Sequence, residues 1–314
     1  FGSGKRVNLA FNNSSYMTSY QFGFNNPYFT VDGVSQGYNL GYTKRDAGQI
    51  NIANYTTDVA NAGVNFGIPL NEFDNLRFDF DLKNTNLSTT DISSTQIRDF
   101  INKEGDSFLT FAPAIGWTHD TLNRAIFPNR GGQQRLSALA TVPGSDLEYF
   151  KVGYKHQIYL PLAKDFTFRL HGEVAYGDGY GQTDSLPFFE NYFAGGTGSV
   201  RGFKNNTLGP KDSNGFSFGG STKIIGNAEL FFPVPFMPET KSVRLGTFFD
   251  AGRIDDSFGV NEMRYSAGLS GEWMSPFGAL SVSAAVPLNA KSTAPDGTLG
   301  DTKQMFQFNF GQNF

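Results

Sequence analysis

Leu76-Arg77-Phe78-Asp79-Phe80-Asp81-Leu82-Lys83 sets an apolar side chain beside a charged one at every step. Period two sends the two sets to opposite faces of a β-strand, one oily and one fully charged. The same rhythm recurs along the chain. Phe166, Phe168 and Leu170 interleave with Thr167, Arg169 and His171, and Glu173 continues the polar phase. Val7, Leu9 and Phe11 interleave with Arg6, Asn8 and Asn12, and Leu280, Val282, Ala284 and Val286 with Ser281, Ser283 and Ala285. In a soluble sandwich the oily face would form the core. In a transmembrane barrel it meets lipid, and the charged face lines a wet interior. The alternating segments run to about ten residues, long enough to cross a bilayer at a tilt.

Strands are expected to begin near residues 5, 15, 34, 55, 75, 108, 134, 149, 166, 222, 241, 263, 278 and 303, about fourteen in all. Short turns are read at Pro69–Glu72, Pro161–Asp165, Pro233–Phe236 and Ser275–Gly278. Longer connections are read at 86–107, 178–221 and 289–302. Connections that alternate short and long suit a barrel with one periplasmic and one external rim. The turn 120–133 breaks that rule, being long on the short side. Aromatics near segment ends (Tyr149-Phe150, Tyr159, Phe231-Phe232, Trp273 and Phe314) suit interfacial girdles. No helix-period stretch of useful length is expected.

Composition narrows the class. The 314 residues hold no Cys, 33 Phe, 13 Tyr and 37 Gly, with net charge -4 and mean hydropathy -0.32. Without cysteine there is no disulfide framework and no thiolate metal site. The charge balance argues against a nucleic-acid partner. So many rings exceed what a soluble core of Leu, Ile and Val would need. No run approaches the roughly 18–20 apolar residues of a membrane-spanning helix. The start, Phe1-Gly2-Ser3-Gly4-Lys5-Arg6, lacks an initiator Met and reads as a cut inside a longer protein.

Two stretches stand out. In Gly195-Gly196-Thr197-Gly198-Ser199-Val200-Arg201-Gly202-Phe203 a single arginine sits among glycines within a long connection. Glycine lets backbone pack closely, and a guanidinium carried into a confined space demands carboxylates. At the chain's end Phe306, Phe308, Phe310 and Phe314 share one parity, as in a final strand with an outward aromatic phase. His119, His156 and His171 show no metal spacing, and no metal or cofactor is expected. His171 reads as a lumen residue, whereas His156 falls on the apolar parity of its strand without explanation. The glycines of Gly177-Asp178-Gly179-Tyr180-Gly181 lack the Lys-Ser/Thr pair of a phosphate loop.

The series Asn26–Gly33, Val142–Asp146, Tyr192–Gly196, Val200-Arg201-Gly202-Phe203, Phe248–Gly252 and Trp273–Pro276 resembles the barrel domain of the BamA family. That family assembles β-barrel proteins in the outer membrane of Gram-negative bacteria, and the likeness covers nearly the whole chain. It implies an all-β fold, a transmembrane antiparallel barrel with about fourteen strands present of sixteen, the first two missing. Residues 1–314 would be one barrel domain, with the periplasmic POTRA domains lying upstream. Val200, Arg201, Gly202 and Phe203 would form a loop latch, with Glu229 and Asp250 receiving Arg201. Strand phase agrees: Ala228, Leu230 and Phe232 take the lipid parity, leaving Asn227 and Glu229 inward, as Val243, Leu245 and Thr247 leave Arg244 and Asp250. Phe306, Phe308, Phe310 and Phe314 would mark a terminal-strand seam.

The resemblance further implies insertion of nascent outer-membrane proteins through that seam, with local perturbation of the bilayer. The partners would be those clients, outer-membrane lipids and lipopolysaccharide, and accessory lipoproteins bound through the upstream domains. Other readings are a related two-partner secretion pore and a passive porin constricted by the long loop. An enzyme is disfavoured, since Glu229 and Asp250 stand with no nucleophile or histidine in a recognisable pattern.

Overall fold

A computed structural model describes residues 4–235, 242–276, 278–293 and 299–310. Its strands are β1 (Arg6–Asn13), β2 (Met17–Asn26), β3 (Ser35–Asp46), β4 (Tyr55–Pro69) and β5 (Asp74–Thr89). Next come β6 (Ser107–Asp120), β7 (Gly131–Ala140), β8 (Tyr149–Ala163) and β9 (Phe166–Gly179). A short β10 (Gly202–Phe203) precedes β11 (Thr222–Phe232), β12 (Val243–Asp255), β13 (Arg264–Ser275) and β14 (Gly278–Pro287). A short β15 (Lys303–Gln304) leads into β16 (Phe306–Phe310). Fourteen of these form one antiparallel sheet in chain order, with β10 and β15 left out as a separate two-stranded ladder. The sheet ends on β1 and β16, which do not pair with each other among the described residues.

The alternating residues fall as a barrel wall requires. Leu82, Leu170, Val174, Phe249, Leu269 and Val282 face outward and are exposed, whereas Thr167, Glu173, Glu229, Asp250 and Ser270 face inward and are buried. An outer face of this kind, apolar and uncovered by protein, is stable against lipid and not against water.

The structure corrects several expectations. Tyr149, Tyr159 and Phe231 are not girdle residues: they take the inward parity and are buried. Phe150, Phe232 and Trp273 hold the other parity, and Phe314 lies outside the described residues. A helix does form. α1 (Thr95–Glu104) lies in the long connection after β5, follows Ser94 and ends at Gly105, whose φ is 95°. Its Ile97, Phe100 and Ile101 recur at helical spacing and pack inward. One apolar stripe across ten residues is too short to declare itself in sequence. The final wall strand starts at Phe306 and not near 303, because Lys303–Gln304 pairs with β10 in the lumen.

The same end of the barrel holds a second surprise. Ile52, Tyr55, Leu87, Ile97, Phe108, Leu147, Tyr149, Leu186 and Phe188 form an apolar cluster at the long-connection rim. Phe188 meets Tyr55 and Phe100 edge-on, at centroid separations of 4.9 and 5.1 Å. The lumen is therefore polar along the wall and stoppered with rings at one mouth. Leu87 and Phe108 hold inward parity at their strand ends, so the polar phase yields to apolar residues where the plug sits.

Candidate functional site

The connection between β9 and β11 turns back into the lumen and delivers Arg201 to the wall. Three glycines set its path, with φ of 106° at Gly195, 92° at Gly196 and 88° at Gly202. A side chain at Gly202 would meet Ala285 at 3.1 Å, and one at Gly195 would stand 2.3 Å from the Lys204 carbonyl. Left-handed backbone and close approach together require glycine there. Val200 and Phe203 are fully buried in a small cluster with Ala194, Leu208, Ile225 and Ile254. Gly252 makes room on the wall, since a Cβ there would lie 2.4 Å from Val200.

Arg201 is bound from every side. Its Nε donates to Asp250 Oδ2 at 2.8 Å and one terminal nitrogen to Oδ1 at 2.8 Å, a two-pronged pair. Its backbone N–H reaches the same Oδ2 at 3.0 Å. The other terminal nitrogen donates to Glu229 Oε1 at 2.7 Å, and the Phe248 ring lies 3.4 Å from the guanidinium carbon. Asn227 bridges Asp250 to the Ser199 carbonyl, while Ser270 and Arg169 complete Glu229. Arg201 is 9% exposed, Glu229 2% and Asp250 0%. Two cations face two carboxylates here, so the buried set is neutral. Burial by itself would disfavour the charged guanidinium, but the bonds to Asp250 and Glu229 outweigh it and hold the proton on more firmly still.

A second anchor went unread in the sequence. Lys151 on β8 donates to Glu190 Oε2 at 2.9 Å and to the Glu190 carbonyl at 2.7 Å. The Tyr149 hydroxyl adds a bond to Glu190 at 3.2 Å, and Lys151 lies 4.7 Å from the Tyr192 ring centroid. Burial pushes the Glu190 carboxyl up, yet the charges of Lys151 and Lys83 win and hold it below the usual carboxylate range. A lone Glu beside Phe188-Phe189 was the available signal, since a charge in so apolar a segment needs a partner.

The seam candidates lie elsewhere. Phe306, Phe308 and Phe310 point outward from β16, with Phe306 74% exposed. Among the described residues β16 pairs with β14 from Phe306↔Ala284 to Phe310↔Leu280. Inward-facing Gln307 joins this edge to the arginine loop, its Nε2 donating to the Phe203 carbonyl at 2.7 Å. The Lys204 N–H adds a bond to the Thr302 carbonyl at 2.9 Å. His171 faces the lumen against Asn227 at 2.9 Å, and His156 sits on the outer face with its ring tilted toward Tyr154.

A long antiparallel sheet with an apolar outer face, a charged inner wall and a loop locked inside defines an outer-membrane β-barrel domain. The chain belongs to the Omp85 superfamily, whose domain matches residues 1–314. It is 35% identical, over all of its length, to the outer membrane protein assembly factor BamA of Neisseria meningitidis, and spans 44% of that relative. Among solved structures it resembles BamA from Haemophilus ducreyi lacking POTRA domains 1–3, with TM-score 0.88 and 27% identity. That match covers 98% of this chain and 64% of the other. CdiB from Acinetobacter baumannii shares the fold, with TM-score 0.58 and 13% identity over 98% of this chain and 53% of its own.

Proposed function

We propose that this domain is the membrane-embedded part of a machine that folds and inserts β-barrel proteins into the outer membrane. The observation that carries the reading is the full-length likeness to an assembly factor, joined to a sheet whose last strand, β16, has no partner on its far side among the described residues. Strands entering hydrocarbon must have their backbone N–H and C=O groups satisfied, at several kcal/mol each otherwise. An edge such as β16 offers a template for that pairing. Its outward Phe306, Phe308 and Phe310 form an aromatic band that suits a locally thinned bilayer.

The reading needs no bond-making chemistry. Arg201, Asp250 and Glu229 act as a structural latch that fixes the loop and, through Gln307, the edge. Nascent outer-membrane proteins are the clients, and lipid and lipopolysaccharide the surroundings. Accessory lipoproteins would dock on domains upstream of this one. The second reading is a two-partner secretion pore; no sequence likeness favours it, since the chain's likeness to CdiB is at the level of fold. Depleting the full-length protein and measuring outer-membrane barrel content decides between them. A general loss of unrelated barrel proteins is expected, whereas failure to export a single secreted partner would overturn the assembly reading.

A further inference from the structure

The turn between β6 and β7 is long on the rim where turns are short, and nothing in the assembly reading uses it. It is ordered from within. The side-chain oxygen of Asn123 accepts the N–H groups of Asn129 and Arg130, at 3.2 and 3.3 Å, and its amide donates to Asn129 at 2.7 Å. Gly131 closes the turn at φ 94°, where a Cβ would stand 2.1 Å from the Thr121 carbonyl. At the tip Phe127 adopts φ 49°, rare for a bulky side chain, and does so before a proline that favours extended backbone. Such strain persists only where surrounding contacts impose it. Pro128 beside it is buried, although the turn lies at the rim.

One such contact is Arg244, at the inward start of β12, with β8, β9 and β11 lying between it and the turn along the wall. Its guanidinium carbon is 4.5 Å from the Phe127 ring centroid and 3.8 Å from that of Phe231. It pairs with Glu272 and approaches the Pro128 carbonyl at 3.5 Å. A rotation of four inter-strand spacings covers roughly 20 Å of wall, so the turn cuts across a corner of the mouth. Arg244 and Glu272 also line the lumen cavity of about 680 Å³ that holds Arg201. Strand β12 is thus gripped twice on one face. A loop from the long-connection rim holds Asp250, and a turn from the opposite rim holds Arg244.

We propose that the β6–β7 turn is a strut that narrows the short-turn mouth beneath Arg244, with Phe127 stacked on Arg244 as its clasp. The function is a permeability barrier beneath the arginine loop, and it stands whatever the clients of the barrel are. The test is the conductance of the full-length protein in planar lipid bilayers. Phe127→Asn keeps a residue that tolerates left-handed backbone but removes the ring. It is expected to raise time-averaged conductance several-fold, as is Arg244→Gln, while Phe127→Tyr stays at the wild-type level. The double variant is expected to match the larger single one, because both break the same clasp. Wild-type conductance in Phe127→Asn would overturn the proposal, as would a rise confined to Arg244→Gln. Should Phe127→Asn fail to fold, hydrogen exchange of the wild type decides. Protected amides across 123–130 are required, and free exchange there would overturn the strut.

Discussion

The two halves of the inner wall are held together by different physics. From β2 to β4 the wall is lined mainly by amides and hydroxyls interlocked with glycines, and β5 adds charges that pair along the strand itself, as Arg77 does with Asp79. Asn39 donates to Asp81 at 3.0 Å, and Gln21 reaches Ser19 and Thr43 at 3.2 Å. Gly41 and Gly63 leave the space into which Asn61, Gln21 and Asp81 fold, since a Cβ at either would lie 2.4 Å or less from those side chains. From β8 to β13 the wall carries Lys151, Arg169, Glu229, Arg244, Asp250 and Glu272, each engaged by a charge of opposite sign. Neutral amides bond to one another with small, separable gains and need no guest. A buried carboxylate set that includes Asp250 is stable only with its cation in place. One half is therefore a self-sufficient wall, and the other is a socket defined by what enters it.

That contrast can be broken most severely at Arg201. Arg201→Ala leaves Asp250 and Glu229 buried without their main partner, a loss of about 3–5 kcal/mol by analogy with broken buried pairs. We expect rapid proteolysis within residues 180–221 of the full-length protein and a fall in outer-membrane barrel content. Normal protein levels with unchanged cleavage would remove the latch from the mechanism.

A smaller effect is expected at the second anchor. Lys151→Met removes charge-assisted bonds worth about 1.5 kcal/mol and should loosen the stretch around Glu190 while Arg201 stays seated. Its pH signature is specific. The Glu190 carboxyl sits below its unfolded value of about 4.3, so its contribution is full above that pH and is lost as acidity carries the pH through the folded value. Pepsin accessibility of the loop should show this acid step in the wild type. In Lys151→Met the step should vanish, because the main cause of the depression has gone; an unchanged step would assign it to another group.

The smallest effect belongs to the amide wall. Asn39→Ala, which removes the bond to Asp81, should cost about 1 kcal/mol and add simply to Ser19→Ala, with the loop undisturbed. Thermal gel-mobility shifts of the folded barrel measure this. A loss as large as that of Arg201→Ala would erase the distinction between the halves.

Much of this wall could be read directly from residue order. Strand phase alone turned Glu229 and Asp250 inward, because period two has no freedom once one face must meet lipid. Tyr149, Tyr159 and Phe231 were misread where aromatic identity suggested a girdle against a parity that pointed inside. Helix α1 is too short to declare itself, and the apolar plug was invisible for another reason: Ile97 and Phe100 lie on α1, Phe108 at the start of β6 and Phe188 in a later connection, and they form a surface only when the rim brings them together.

By itself the sequence determined the strand count, the lipid and lumen faces and the arginine's need for carboxylates, since all three follow from local periodicity and charge. Tertiary structure alone decided that Asp250 takes Arg201 by two oxygens and that Lys151 holds Glu190. It also decided that a strained Phe127 crosses to Arg244. Those choices depend on how far the wall curves between strands distant in the chain, and curvature belongs to the packing of the whole sheet.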